Sequence, residues 1–433
     1  MKRILALSLT LLPLAMMAQK VGNMRAYDQR GINVFEDPKD SVQLPFDDVR
    51  VKIGAAFTQQ FQDLDHKNPG ANLNQTTNKL RPLTSGFQLA QANLFIDVQL
   101  AEGIRLNVTS YMSSKHHNDF WVKGGFIQFD KLPFEGKFWD DIMKLATVKI
   151  GHYEVNYGDQ HFRRSDGGQA LWNPFMEGYL MDAFATEIGG EVLLRKNGLF
   201  GMLAVTGGNL RGGVDHLAAE SNLDGNLKKQ PSLVLKAGYD KQLTEDFRVR
   251  VSASHFRNES NTVTLYSGDR SGSNYQNIME KAVIAEATQG SSALASGRFN
   301  PGFTKAVKAY MFNGFAKYKG LEFFGTYETS SGRSASETKY RDASQIAGDL
   351  IYRFLPREQL FIGARYNSAK AELAGFTDDV TVDRTAFAAG WFLTKNVLLK
   401  GEYVIQKYKD FPTTDYRSGG KFNGYVIEAI VGF

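Results

Sequence analysis

About sixteen stretches of this chain alternate apolar and polar residues with a period of two, the repeat of a strand whose side chains switch faces at every residue. The chain ends on one of them. Tyr425, Ile427, Ala429, Val431 and Phe433 share one face, and every member of that face is apolar. The other runs fall near 49–61, 87–100, 104–113, 121–130, 145–155, 184–196, 199–207, 232–241, 247–257, 305–318, 321–330, 344–355, 359–368, 383–393 and 397–408. So many half-apolar strands leave two solutions. One is a soluble sandwich with a greasy core; the other is a closed barrel with its greasy face in lipid.

The connections decide between them. Short ones (Ala101–Gly103, Asn197–Gly198, Leu243–Asp246, Lys319–Gly320, Pro356–Glu358, Thr394–Asn396) alternate with long polar ones at about 62–86, 156–183, 208–231, 258–304, 331–343, 371–382 and 409–420. A sandwich has no reason to sort its loops by end. A transmembrane antiparallel β-barrel does: tight turns face the periplasm and long loops face outside. The expected fold class is therefore all-β, a transmembrane β-barrel of about sixteen strands, an even number as single-chain bacterial barrels require.

The amino terminus fits an exported chain. Lys2 and Arg3 precede an apolar run from Ile4 to Met17, shorter than a membrane span, with cleavage expected after Ala18. Residues 1–18 are expected as a signal peptide, 19–48 as a periplasmic or lumenal segment, and 49–433 as the barrel. The chain has no Cys, which removes disulfides, thiolate metal sites and cysteine nucleophiles. Its formal net charge of +5 is spread in mixed signs without a basic block, so no nucleic-acid partner is expected. The expected location is the cell outer membrane.

In a membrane barrel, the lipid-facing residue nearest each periplasmic turn is often aromatic. By parity Tyr239, Phe247, Phe354, Trp391 and Phe433 occupy such places. Phe433 then reads as the last member of a membrane girdle, with the final strand closing the barrel against the first.

Two stretches carry a family resemblance. "VKIGHYEVNYG", 148–158, is similar to the strand and elbow that precede the third loop in the phosphate-selective porin O/P family, and "EIGGEVLL", 187–194, to the strand that follows. The chain shows no clear match to the closely spaced arginine ladder of a phosphate-selective pore. The resemblance implies that the third outside connection, 156–183, folds inward and narrows the pore. Its charged residues, Arg163 and Arg164 against Asp159, Asp166, Glu177 and Asp182, are then the candidate constriction. Opposed charges across a narrow gap select solutes by charge and size. The resemblance also implies that the C-terminal strand is what the barrel insertion machinery reads.

Parity gives a modestly basic pore wall, including Arg50, Lys52, Arg105, Lys149, Arg248, Arg250, Arg365 and Lys400. These features predict an outer-membrane porin for passive diffusion of small hydrophilic solutes or ions, with a weak anion preference. The alternatives are a substrate-specific channel for phosphate or another anion, and a barrel enzyme such as an outer-membrane phospholipase. The latter needs Ser and His on adjacent lipid-facing strands. No hydrolase, metalloprotease, phosphate-loop or dinucleotide motif is present. Adjacent His116 and His117 point opposite ways in an extended chain and make a poor metal pair. No enzymatic activity, cofactor or metal is expected. The expected partners are outer-membrane lipid and lipopolysaccharide, the insertion machinery, small solutes or anions, and two further copies in a homotrimer. The segment 20–48 is too short for a plug domain. It is expected as a lead-in or a short hatch with little apolar surface.

Overall fold

The computed structural model describes residues 21–39, 45–69, 79–113, 120–165, 169–208, 225, 228–260, 264–282 and 295–433, the side chains of 88–90 excepted. The expected signal peptide and cleavage site, His116, His117 and Asp166 lie outside the described residues.

Sixteen strands form one closed antiparallel barrel. They are β1 (Arg50–Lys67), β2 (Gly86–Ala101), β3 (Ile104–Ser113), β4 (Trp121–Phe129), β5 (Ala146–Glu154), β6 (Thr186–Lys196), β7 (Leu199–Thr206) and β8 (Ser232–Gln242). They continue with β9 (Phe247–Asn258), β10 (Ala306–Tyr318), β11 (Leu321–Arg333), β12 (Arg341–Phe354), β13 (Leu360–Glu372), β14 (Asp379–Thr394), β15 (Val397–Lys409) and β16 (Lys421–Gly432). Each pairs with its neighbour in sequence, and β1 closes on β16 from Ala56↔Gly432 to Lys67↔Lys421. Phe433 continues the seam: its N–H donates to the Ala55 carbonyl at 2.9 Å, and Ala55 N–H donates back at 3.1 Å. Closure leaves no sheet edge along this seam, which is what lipid demands.

The alternation sorts the faces. Val51, Ile53, Ile346, Leu350, Phe387, Trp391, Tyr425 and Ile427 are exposed on the outside of an isolated barrel, where lipid would cover them. The five girdle residues sit on this outer face beside short turns. Phe247 meets Tyr318 edge-on, and Phe354 stacks on Tyr352. A closed barrel with an apolar outer belt is a membrane-spanning barrel, and this architecture is that of the outer membrane. The Asn197–Gly198 turn uses positive φ at both residues, 53° and 88°, as a two-residue hairpin requires.

Two differences from the expected connections stand out. The predicted outside loop 331–343 shrinks to 334–340, because β11 and β12 stay paired up to Gly332↔Arg341. Above the membrane the outer face no longer needs to be apolar, so the ladder persists where the period-two signal fades. On the periplasmic side, the β4–β5 connection is not a tight turn but holds a short helix, α1 (Lys137–Met143), with Phe138 exposed.

Candidate functional site

The lumen is the candidate site, and most of it is filled. Residues 21–38 cross it near the periplasmic end. Asn23 Nδ2 donates to Asp130 at 3.0 Å, and the Tyr27 hydroxyl to Asp97 at 3.1 Å. The Tyr27 ring lies flat on Phe95, with centroids 3.8 Å apart. On the far wall Asn33 Nδ2 donates to Glu322 at 2.7 Å, and Phe35 meets Phe315 edge-on. Glu36 accepts from Arg250 at 2.7 and 2.8 Å and lies 3.3 Å from Lys236. Close approach is built into the sequence here. A Cβ on Gly54 would come within 2.6 Å of the Tyr27 ring.

Loop 155–185 folds into the barrel above this segment. Asp159 accepts from Arg250 Nε at 2.8 Å and from Ser252 at 2.7 Å, with Lys236 also 2.7 Å away. Arg163 Nη2 pairs with Glu322 at 2.7 Å, and Arg164 binds Asp182 with two bonds of 2.7 and 2.8 Å. Glu177 pairs with Arg298 at 2.9 Å. Lys400, on β15, donates to the carbonyls of Ala170, Asn173 and Phe175 at 2.9–3.0 Å and lies 2.9 Å from Glu428.

The described residues of the connection 259–305 complete the filling. Tyr266 and Tyr157 both donate to Glu328, at 3.0 and 2.9 Å, and Tyr275 donates to Glu402. Apolar residues of both loops, among them Tyr157, Met176, Leu180 and Phe303, pack on inward-facing Phe256, Met311, Phe422 and Val426.

This arrangement corrects the picture of opposed charges across water. Arg163 and Arg164 are only 3% and 4% exposed and are held in direct ion pairs. The wall is corrected likewise. All eight named basic residues lie at inward positions, but Arg105, Arg250, Arg365 and Lys400 are buried against acids: Asp130, Asp159, Asp349 and Glu428. Most of the basic excess is therefore neutralised rather than presented to solvent.

The loop carboxylates are tuned by this packing. Burial alone would raise Glu177, but Arg298 and Arg384, with Ser273 and the Asn274 N–H, hold it down to about 2. Asp159 and Glu36 also sit below the usual carboxylate range: burial opposes ionisation, and Lys236 with Arg250 overcomes it. A buried pair in this geometry is costly to break from one side, about 3–5 kcal/mol.

Among the described residues, the larger open spaces of the lumen lie off-centre, against β2–β9. A cavity of about 790 Å³ opens at the periplasmic end, between residues 34–39, the β4–β5 connection and Arg195–Leu199. It shares Phe35, Glu36 and Arg195 with a mid-barrel cavity of about 210 Å³. That cavity is walled by Tyr27, Phe126, Tyr153 and Trp172, together with Lys149 and Glu191. It in turn shares Lys123, His152 and Thr186 with a third cavity, about 330 Å³, toward the long-loop end.

Solved structures share the architecture. An anion-selective porin from Comamonas acidovorans aligns with a TM-score of 0.53 at 9% identity, covering 89% of this chain and 100% of its own. The fold is that of outer-membrane porins. OmpT, an outer-membrane protein of Vibrio cholerae, aligns at 0.49 and 11% identity over 90% of this chain and 100% of its own. OccAB3 of Acinetobacter baumannii aligns at 0.42 and 10% identity over 88% and 99%. No protein-family model and no curated protein matches the chain.

Sequence reasoning missed the lumen-side residues of 21–38, namely Tyr27, Asn33 and Glu36, and those of 259–305, namely Tyr266, Tyr275 and Arg298. A signal for them was present. Phe256, Met311 and Phe422 are apolar at inward positions, which a water-filled pore would not need.

Proposed function

We propose that this chain is an outer-membrane channel for passive diffusion of small hydrophilic solutes or ions, with a weak preference for anions. The observation that carries this reading is the run of three adjoining cavities along β2–β9, which leads from the periplasmic mouth toward the outer loops while the remaining lumen is filled. The preference is weak because most wall cations are paired with carboxylates. Arg195, between the lower two cavities, instead donates to the Asp37 carbonyl at 2.7 Å and keeps a positive charge at the passage.

The narrowness of the middle cavity favours a second reading, a channel specific for one anion such as phosphate. The chain acts without catalysis, as a homotrimer in lipid and lipopolysaccharide. Single-channel recording in asymmetric KCl tests the main reading. The expected result is a small conductance with a reversal potential on the anion side. A silent bilayer, together with phospholipid hydrolysis by the purified protein, would replace the channel with an enzyme. Saturation of the current by phosphate would select the specific channel. Cross-linking in native membranes reports the trimer.

A further inference from the structure

We propose that Lys67, Lys407 and Lys421 form a site on the outer rim of the barrel for a phosphate group of an outer-leaflet lipid, the phosphorylated head of lipopolysaccharide.

The strand register sets the three side by side. Lys421 on β16 is paired with Lys67 on β1 and with Lys407 on β15. Their chain neighbours Gln406, Tyr408 and Phe422 are buried on the lumen side, and His66 accepts there from the Met279 N–H at 2.8 Å. Alternation therefore turns all three lysines outward, and each is exposed. They take no part in the pore wall. Two strand spacings, roughly 10 Å, separate Lys67 from Lys407. Their flexible four-carbon stems let the three ammonium groups converge on one point.

Like charges directly opposed across a ladder are destabilising. Two such pairs adjoin here, and no ion pair joins any of the three to an acid among the described residues. The nearby acids are engaged or lower down. Asp383, opposite Lys407, is held by Lys409 at 2.5 Å. Asp379 is held by Lys370 at 2.8 Å, and Asp410 acts on Lys370 and Lys409. Asp63, two levels below beside Tyr425, accepts from Ser85 at 2.7 Å. Asp65, one level below and opposite Asn423, offsets one charge of the three. Three lysines less one carboxylate leave an excess of two. A phosphate monoester carries about −1.5 to −2 at pH 7.

The height is that of lipid head groups. Twelve residues separate Lys421 from Phe433 in the periplasmic girdle. Along a tilted strand that is about 30 Å, against ~25 Å for an apolar belt. Below the lysines the same face carries Tyr403 and Tyr425, paired with each other and exposed, and then Ile427. Such an aromatic band marks the membrane–water interface. Lysines clustered just above it recognise anionic head groups.

The site rests on the outer-membrane location and not on the channel reading, and the test keeps the two apart. The probe is diphosphoryl lipid A, added to the detergent-purified barrel and counted as a bound adduct by native mass spectrometry. The wild-type chain is expected to retain it. Lys67→Gln with Lys407→Gln and Lys421→Gln is expected to bind it at least ~10-fold more weakly, about 1.4 kcal/mol. A control removes the same charge at the periplasmic end, through exposed Lys241→Gln, Lys319→Gln and Lys395→Gln, and is expected to bind as wild type. Lipid A stripped of its phosphates should bind wild type as weakly as the triple variant binds the intact form. Excess inorganic phosphate should leave the adduct in place. Conductance and heat-modifiable migration should be unchanged in both variants.

Equal binding by wild type and the rim variant overturns the site and leaves the channel intact. An equal loss in the control also overturns it, since net charge alone then explains the effect. Displacement by inorganic phosphate overturns it as well, by making the row a site for free anions. A silent bilayer with lipid A still bound would sink the channel and support the site.

Discussion

Glu36 and Arg250 meet through two hydrogen bonds, 2.7 and 2.8 Å, although 214 positions separate them in the chain. Arg250 belongs to the wall and Glu36 to the segment that crosses the lumen, so this pair fastens the one to the other. Asp159 shares the same guanidinium, which ties loop 155–185 into the same knot. Glu36→Gln keeps the shape and removes the charge. The expected outcome is a loosened segment and a single-channel conductance raised severalfold, with heat-modifiable migration on gels unchanged. Conductance equal to wild type would show that the pair does not hold the passage closed.

Acid should act on the same filling through Glu177. Its carboxyl is held at about 2 in the folded protein, below the ordinary 4.5. A depressed carboxylate contributes stability that is complete above its unfolded value and is lost as pH falls through the folded one. The loops are therefore expected to hold from neutral pH to about pH 5 and to loosen between about pH 4.5 and 2. Conductance recorded against pH should rise in that window. Glu177→Gln should flatten this part of the profile, and an unaltered profile would remove Glu177 from the account.

Arg163→Ala with Arg164→Ala takes one cation each from buried Glu322, which keeps Arg353 at 3.0 Å, and Asp182, which keeps Arg298 at 3.2 Å. Breaking a buried pair from one side costs about 3–5 kcal/mol where no second cation remains, and less here. The double variant is expected to lower the yield of heat-modifiable barrel and to raise conductance in what remains, rather than to tune ion choice in a stable pore. The paired control is Arg333→Ala, at the outer end of β11, with Lys339→Ala, in the connection 334–340, expected to match wild type in yield. A reversal-potential shift with full yield would restore the reading of two free charges at a constriction.

Deleting Phe433 removes both backbone hydrogen bonds that extend the seam to Ala55. We propose that the same strand also carries the signal read during assembly. Less protein is expected in the outer membrane at equal synthesis, measured by immunoblot of membrane fractions. The barrels that do insert should migrate as wild type. Equal outer-membrane levels would count against a role in assembly.

The barrel was legible in the sequence because lipid imposes one rule on every strand. The runs expected at 104–113 and 199–207 match β3 and β7 to within a residue. Lumenal packing follows no such period. Val426 and Ile430 lie on the inward face of β16, and both are fully buried. Their apolar character announced an occupant without naming it. Glu36 looked like an ordinary charge in a polar leader, because its partners Arg250 and Lys236 arrive only when the barrel closes. A bulge in β4, where the register with β3 jumps from Thr109↔Gly124 to Ser110↔Val122 and leaves Lys123 over, was hidden for a related reason: an extra residue in a short strand shifts parity without leaving a compositional mark.

Loops 155–185 and 259–305 are tethered at the outer rim, yet their side chains end deep inside, Asn173 within bonding distance of Lys400 and Tyr275 of Glu402. Both contacts are to β15, a strand that neither loop connects to in sequence. The contents therefore brace the cylinder across its width as well as fill it, and a substitution that loosens them is felt in the wall opposite.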